Sequence, residues 1–447
     1  MYEPKIIAFL CTWCSYTGAD SAGIARLKSP ANIRAIRVPC SGRVSPEIIM
    51  RTFDEGADGV LVLGCHIGEC HYETGNHRTA KRLPVVQALM SFVGLEPQRL
   101  RLDWVSASEG ERFARITNEF VEGVKTLGPV KWRVPGGERW RIHERLLTPE
   151  EPVETTAQDC SEKTHAIRAK VSELLATGQV GCAIGYEVGP RGRTRPVFVY
   201  QPEQVESLVW NPGCTHNLTT YLRDKLRPVK GKEPPRPVAV VVKPCDSRAI
   251  NVLVAENAFP REQVHALGVV CEGILGEDGG MQTRCAVCDE RVPRVYDTLI
   301  GDSSAAVPRP ASPVVPGIVQ LSESTPVERM EFWLSQFDRC IRCYACRQAC
   351  PMCSCPTCLY ERDDSTWVGM GIGVNEKRTF HLGRAFHLAG RCIGCNECER
   401  VCPVDIPIGY LNQKLAQEIE SNFAFRAGLA PVVSPIVTVL AGEYKEG

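Results

Sequence analysis

A doubled cysteine pattern constrains this chain more than any other feature. The run Cys340-Ile-Arg-Cys343-Tyr-Ala-Cys346-Arg-Gln-Ala-Cys350-Pro351 has the spacing Cys-x2-Cys-x2-Cys-x3-Cys-Pro, and the same spacing returns at Cys392, Cys395, Cys398, Cys402 and Pro403. A tight loop of this kind brings three thiolates onto three irons of one cubane, and the fourth cysteine, beginning a helix after the turn, reaches the other cluster. The spacing therefore predicts two 4Fe–4S clusters, one on Cys340, Cys343, Cys346 and Cys402, the other on Cys392, Cys395, Cys398 and Cys350. Thiolate is a soft ligand suited to iron–sulfur sites, while zinc, the competing reading, would need only one closed set of four. Ile341 and Ile393 follow the first cysteine of each repeat, where apolar packing would shield a cluster from water.

The chain has 447 residues and 23 cysteines, an odd and clustered count. A disulfide framework belongs to small secreted proteins, so metal binding is the expectation. Hydrophobic residues make up 44% and charged residues 23%, which is ordinary for a globular protein. Lys plus Arg and Asp plus Glu are equal at 52 each, which argues against nucleic-acid binding and against electrostatic attachment to an anionic membrane. No apolar run approaches the roughly 20 residues of a membrane helix; the best, Val432 to Ala441, is broken by Ser434 and Pro435. The opening MYEPKIIAFLC moves straight into a strand-like run, without a basic region or a cleavage site. The expectation is a cytoplasmic protein with no direct membrane insertion and no nucleic-acid partner.

Residues 1–130 alternate strand and helix signals, with strands expected at Lys5–Leu10, Ile33–Val38, Gly59–Gly64 and Leu100–Ser106 and helices at Ser45–Glu55, Arg78–Val93 and Glu109–Leu127. Such alternation with short connections predicts an α/β fold with a doubly wound parallel sheet. Residues 131–164, polar and interrupted by Pro and Gly, read as a linker. A middle mixed α/β domain follows over 165–302, with strand-like runs at Pro196–Tyr200, Pro237–Val242 and Ala266–Val270 and a helix at Ser247–Glu256. Residues 303–324 open on SSAAVPRPASPVVPG, whose four prolines among small residues predict an extended spacer. A C-terminal dicluster ferredoxin-like domain over 325–425 closes with a helix at Ile408–Ser421, and 426–447 is left as a tail.

Cys11, Cys40 and Cys65 each fall just past a predicted strand, with Cys14 and Cys70 in the adjoining loops. In a parallel sheet those strand ends lie side by side along the edge where such folds place ligands. Four thiolates suit one 2Fe–2S centre, which leaves one of the five spare. His66 and His71 flank the site as donors or surface residues and not as ligands. The segments FLCTWCSYTGADSAG, IRVPCSGRVSPE, EGADGVLVLGCHIGECHYETGN and RLDWVSASEGERFA resemble the delta-subunit family of the methyl-viologen-reducing hydrogenase over residues 4–130. That resemblance implies a 2Fe–2S cluster and a role passing electrons between a hydrogenase or formate dehydrogenase and the flavin subunit of heterodisulfide-reductase-type complexes.

Cys245, Cys271, Cys285 and Cys288 form a looser set, two of them just past strand-like runs. They predict one further 4Fe–4S cluster, with a structural zinc site as the alternative. VVKPCDSRAI, GVVCEGI and the Cys-x2-Cys before LIGD resemble the beta-subunit family of deazaflavin-dependent hydrogenases and formate dehydrogenases, over about residues 165–302. The run CIRCYACRQACPMCSCPTC is similar to the same type. The resemblance implies FAD and a deazaflavin, although no Gly-x-Gly-x-x-Gly fingerprint follows a strand here. Cys353, Cys355 and Cys358 either ligate a further cluster, with Cys214 or Cys160, or are buried thiols.

No activated serine, carboxylate pair or phosphate loop stands out. The expectation is an electron-transfer subunit of an anaerobic heterodisulfide-reductase-like complex, between an HdrA-like flavoprotein and a formate dehydrogenase or hydrogenase subunit. The alternative is a beta subunit with its own flavin, working on a deazaflavin or nicotinamide coenzyme. In the relay reading the ferredoxin repeat forms one terminal of a longer row of clusters.

Overall fold

The structure, a computed structural model, describes residues 2–132, 161–189, 192–228, 231, 233–276, 279–304, 314–362, 364 and 369–438. Most of the segment expected to be a linker over 131–164, and Cys160 with it, lies outside the described residues.

The N-terminal unit runs β1 (Ile6–Cys11), α1 (Ser15–Ile24), β2 (Ile33–Val38), α2 (Pro46–Asp54), β3 (Gly59–Gly64), α3 (Gly75–Phe92), β4 (Leu100–Trp104) and α4 (Gly110–Leu127). Its sheet has the order β2-β1-β3-β4 and is parallel throughout. Side chains alternate across a strand, and both faces here are apolar. Ile6, Ala8, Leu10, Leu61 and Leu63 pack on Phe113, Ile116 and Phe120 of α4. Phe9, Val60 and Val62 turn the other way, onto Ile49 and Phe53 of α2 and Leu83 and Val86 of α3. Helix α2 starts where the Ser45 hydroxyl accepts from the Ile48 amide at 3.4 Å, with Pro46 in the first turn. This is the expected doubly wound arrangement. Helix α1 was not expected from the sequence.

The middle unit contains α5 (Ser161–Ala176), β5 (Cys182–Val188), β6 (Thr194–Val199), α6 (Leu222–Leu226), β7 (Val238–Val242), α7 (Pro244–Ala255), β8 (Val264–Val269), α8 (Thr283–Ala286) and β9 (Thr298–Ile300). Its sheet is mixed, in the order β6-β5-β7-β8-β9, with only β5 and β6 antiparallel.

The remainder is helical: α9 (Pro316–Glu323), α10 (Pro326–Arg339), α11 (Ala345–Gln348), α12 (Val374–His387), α13 (Glu397–Arg400) and α14 (Ile408–Phe423). A capping box opens α10, the Thr325 amide donating to Glu328 Oε2 at 2.7 Å and the Glu328 amide to Thr325 Oγ1 at 3.3 Å. Two boundaries differ from expectation. Part of the proline-rich spacer forms α9, whose Ile318 and Leu321 are buried, because both apolar side chains fall on one helical face. The described part of the C-terminal tail is packed too: Ala427 and Ile436 are buried, and the Ala427 carbonyl accepts two hydrogen bonds from Arg248 at 2.6 and 2.9 Å. Among the described residues no helix is long and apolar enough to cross a membrane.

The three units share their cores. Trp333 of α10, Leu382 of α12 and Leu411, Leu415 and Ile419 of α14 complete the face of the N-terminal sheet carrying α2 and α3. Met352, Leu388, Ile393 and Cys395 pack into the core of the middle sheet instead. Polar contacts follow the same division. Arg378 pairs with buried Asp54, and the Thr379 hydroxyl donates to Asp54 Oδ2 at 2.7 Å. Arg391 pairs with Glu256 at 2.5 Å, and Arg426 with Asp289 at 2.5 Å. The dicluster segment follows both other units in sequence, yet its helices enter the core of the N-terminal unit and its second loop enters the core of the middle unit.

Candidate metal centres

All five N-terminal cysteines gather at one edge of the first sheet. Cys11 ends β1, Cys40 follows β2, and Cys65 follows β3. Cys70 is carried by the loop before α3, which Asn76 closes by donating to the carbonyls of Cys65 at 3.3 Å and His66 at 2.6 Å. Gly75 completes the cradle, since a Cβ there would collide with Cys40 Sγ and stand 3.2 Å from Cys70 Sγ.

The thiols fall into pairs. Cys11 and Cys65 have their sulfurs 3.7 Å apart, as do Cys40 and Cys70, while Cys14 and Cys65 are 2.8 Å apart. Metal–thiolate bonds of about 2.3 Å in tetrahedral geometry set two sulfurs on one metal about 3.8 Å apart. Cys11, Cys14 and Cys65 are mutually close enough to hold one ion. Hydrogen bonds from Cys11 and then Cys14 draw the Cys65 thiol down to about 4. Cys14 and then Cys40 draw Cys11 down to about 7. Cys14 and Cys40 are pushed up, in both cases with Cys11 as the first cause, and burial raises Cys70. The crevice thus favours thiolate at Cys11 and Cys65, and thiolate is the form that binds metal. The histidines turn elsewhere: His66 Nε2 contacts Glu109 Oε2 at 2.7 Å, and His71 stacks on Trp13 with ring centroids 3.6 Å apart.

The two ferredoxin loops repeat at the level of the backbone. Arg342 and Tyr344 have φ of 55° and 59°, and Gly394 and Asn396, at the same places in the second loop, have 70° and 55°. Left-handed residues on either side of the second cysteine turn the chain back on itself. They also aim matching amides: Arg342 N lies 3.3 Å from Cys340 Sγ, and Gly394 N lies 3.4 Å from Cys392 Sγ. Cys350 lines one cavity of about 20 Å³ with Cys392, Cys395 and Cys398. Cys340 feels both Cys343 and Cys402 as neighbouring charges, and Cys346 feels Cys340 and Cys402. The fourth cysteine of each repeat therefore lies with the first three of the other. Ile393 is 4% exposed, because it packs into the core of the middle unit, whereas Ile341 does not and is 58% exposed.

In the middle unit Cys271, Cys285 and Cys288 are electrostatic neighbours, and burial followed by Cys285 pushes the Cys271 thiol up to about 11. Cys245 looks toward the ferredoxin loops. It feels Cys395, and with Cys288 and Cys392 it lines a cavity of about 150 Å³. Of the thiols left open by the sequence, Cys355 is exposed, while Cys353 shares a hydrogen bond with Cys350 that draws it down to about 5. Cys214 lies in the core of the middle unit, with the Asn211 amide 3.4 Å from its sulfur. Sequence reasoning passed over the buried cations Arg284 and Arg384, which stand among these thiols. Neither has a spacing signature. Only their position a few residues from a cysteine motif hinted at them.

A parallel sheet edged with thiols and a doubled ferredoxin loop define an iron–sulfur protein. Residues 336–406 match the 4Fe–4S dicluster domain, and residues 6–128 match the methyl-viologen-reducing hydrogenase delta subunit. The iron–sulfur subunit of an F420-non-reducing hydrogenase from Archaeoglobus profundus is 46% identical over 131 residues, which is 29% of this chain and 96% of that protein. The vhc iron–sulfur subunit of an F420-non-reducing hydrogenase from Methanococcus voltae is 46% identical over 128 residues, 29% of this chain and 89% of its own length. One component of a ferredoxin/F420H2-dependent CoB-CoM heterodisulfide reductase from Methanosarcina acetivorans is 50% identical over 127 residues, 28% of this chain but 16% of that protein. Through its N-terminal domain, the chain belongs to the methyl-viologen-reducing hydrogenase delta-subunit family.

Proposed function

We propose that this chain is an electron-transfer subunit of an anaerobic heterodisulfide-reductase-like complex, relaying electrons between a hydrogenase or formate dehydrogenase module and an HdrA-like flavoprotein. The observation that carries this reading is the placing of the dicluster segment against both other cysteine-bearing units, with Cys245, Cys288 and Cys392 around one cavity. Iron–sulfur clusters supply one-electron chemistry when bound. In this reading Cys11 with Cys65, and Cys40 with Cys70, hold the two irons of a 2Fe–2S centre, and Cys14 is the spare thiol. The eight motif cysteines hold two 4Fe–4S clusters in the crossed arrangement, and Cys245, Cys271, Cys285 and Cys288 hold a third. Cys11, Cys40 and Cys65 are buried at the sheet edge and Cys340, Cys346, Cys395 and Cys398 in the dicluster loops, which keeps water from these ligands.

Partners follow from the relatives. The N-terminal domain recurs in proteins named as hydrogenase iron–sulfur subunits and within larger proteins named as heterodisulfide reductase subunits. Trp13, Ile67 and Tyr72 are exposed beside the thiol crevice, an apolar rim suited to a docked redox partner. Anaerobic isolation of the protein from its native cells tests this reading. The expected companions are a flavoprotein together with a hydrogenase or formate dehydrogenase; recovery with neither would overturn it.

A second reading, a flavin-bearing subunit that works on a deazaflavin or nicotinamide, draws on a cavity of about 800 Å³ lined by Arg193, Arg284, Arg400, His216 and Glu399. That volume and the three cations suit an anionic cofactor. Burial holds His216 neutral, down to about 4, and lifts the Glu399 carboxyl to about 7. The visible spectrum of the supernatant after acid precipitation separates the readings: stoichiometric free flavin favours the second.

A further inference from the structure

Helix α12 runs beside the dicluster loops, and its two faces serve different neighbours. Arg378 and Thr379 turn to Asp54 of the N-terminal unit. Lys377, His381 and Arg384, at helical intervals of four and three, share the other face. Arg384 is 3% exposed. Its Nη2 donates to the Cys346 carbonyl at 2.9 Å, while Nε and Nη1 make no hydrogen bond of good geometry, although the guanidinium lies near enough to the Cys353 thiol to help draw it down. Proteins bury a guanidinium with unused N–H groups only where an anion answers it. The principal charged neighbours of Arg384 are Cys353, Cys350, Cys346 and Cys398. Cys346 belongs to the first proposed ligand set, Cys350 and Cys398 belong to the second, and Cys353 belongs to neither.

We propose that Arg384 is a positioning residue shared by both 4Fe–4S clusters, whose free Nε–H and Nη1–H serve sulfur acceptors of the two sites and raise the two reduction potentials together. The inference rests on the crossed assignment of the eight motif cysteines. The physical reason is general. Reduction adds negative charge to a cluster, and a fixed buried cation with hydrogen bonds to sulfur stabilises that added charge. A guanidinium is fitted to this role because it stays protonated and presents several donors in one plane. Placed between two clusters, it would also keep their potentials close, so that neither becomes a deep trap for the electron.

The test is a potentiometric titration followed by electron paramagnetic resonance on the full-length protein, purified without oxygen, with iron counted in each sample. In R384Q the midpoint potentials of the two dicluster 4Fe–4S centres are expected to move to more negative values, while the N-terminal and middle-unit centres keep theirs. R384K, which keeps the charge but loses the planar donor set, is expected to fall between R384Q and the native protein. Unchanged potentials in R384Q with full iron content would overturn the proposal, and so would movement of one cluster alone. Should R384Q fail to hold iron, R384K decides: a joint shift supports a shared role, and native potentials reject it. Failure of the ligand assignment is distinguishable, since Cys350→Ser and Cys402→Ser would then leave the dicluster 4Fe–4S signals of the otherwise native protein intact.

Discussion

Cys14 sits closer to Cys65 than two sulfurs bound to one metal would, at 2.8 Å against about 3.8 Å. In the proposed reading that distance marks it as the spare thiol of the five. Cys14→Ser is expected to keep the N-terminal centre, while Cys11→Ser, Cys40→Ser, Cys65→Ser and Cys70→Ser each lose about two irons per chain. Iron analysis with visible spectra checks this. Glu47 is a residue of a different kind, linking α2 to α12 through His387 at 2.5 Å. Burial pushes its carboxyl up, but the hydrogen bond and charge of His387 and the Ser45 hydroxyl outweigh that and hold it below the ordinary 4.5. A depressed acid contributes stability that is complete above its unfolded value and is lost as pH falls through the folded one. Glu47→Gln is therefore expected to cost about 2 kcal/mol at neutral pH. The gap to the native protein should close below about pH 4.5, measured by urea titration across pH. Asp54, buried against Arg378, is the more severe case. Asp54→Ala strands a charge and is expected to cost about 3–5 kcal/mol in the same experiment.

Helices α2 and α12 meet at a glycine. A Cβ on Gly383 would collide with the Tyr360 hydroxyl and stand 2.9 Å from Glu47 Cγ. Gly383→Ala is expected to cost about 1–3 kcal/mol, read as a lowered melting temperature, because the overpacked site must push the helices apart. At this scale the sequence was legible where residues carried a period or a spacing. The runs that became β2 and β3 were delimited correctly because both are short, carry β-branched residues and are flanked by turn residues, although only β3 is wholly apolar. Helix α1, SYTGADSAGI, was missed because it has no apolar stripe. It packs through close approach, with Gly18 against the Ser106 carbonyl and Ala22 against Gly110. The cysteines of the ferredoxin loops and of the sheet edge could be placed from sequence for a similar reason, since spacing or a strand end locates each one. The inward turn of Cys245, the exposure of Ile341 and the burial of Arg384 depend on which units touch, and no local pattern encodes that.

The arrangement of the units was the least legible feature of all. Phe53 and Phe386 share a core although more than 300 residues separate them in the chain. Because the dicluster segment supplies side chains to both neighbouring cores, unfolding is expected to be a single event. Near-ultraviolet dichroism and the visible absorbance of the clusters should fall together on heating, and two well-separated transitions would contradict a shared core. Removing iron with a chelator should loosen the N-terminal and middle units as well as the loops that bind it.

That sharing also sets an order of events at the ribosome. Domains generally fold as they emerge, from the N-terminus onward. Here the faces of Phe53 and Leu83 in one unit, and of the middle sheet in another, must wait for residues that are translated later. Until α12 and α14 appear, both earlier units carry uncovered apolar surface of the sort that chaperones hold. Iron loading into the final loops would then be the step that releases the chain, making delivery of iron and sulfide a checkpoint on the maturation of the whole polypeptide.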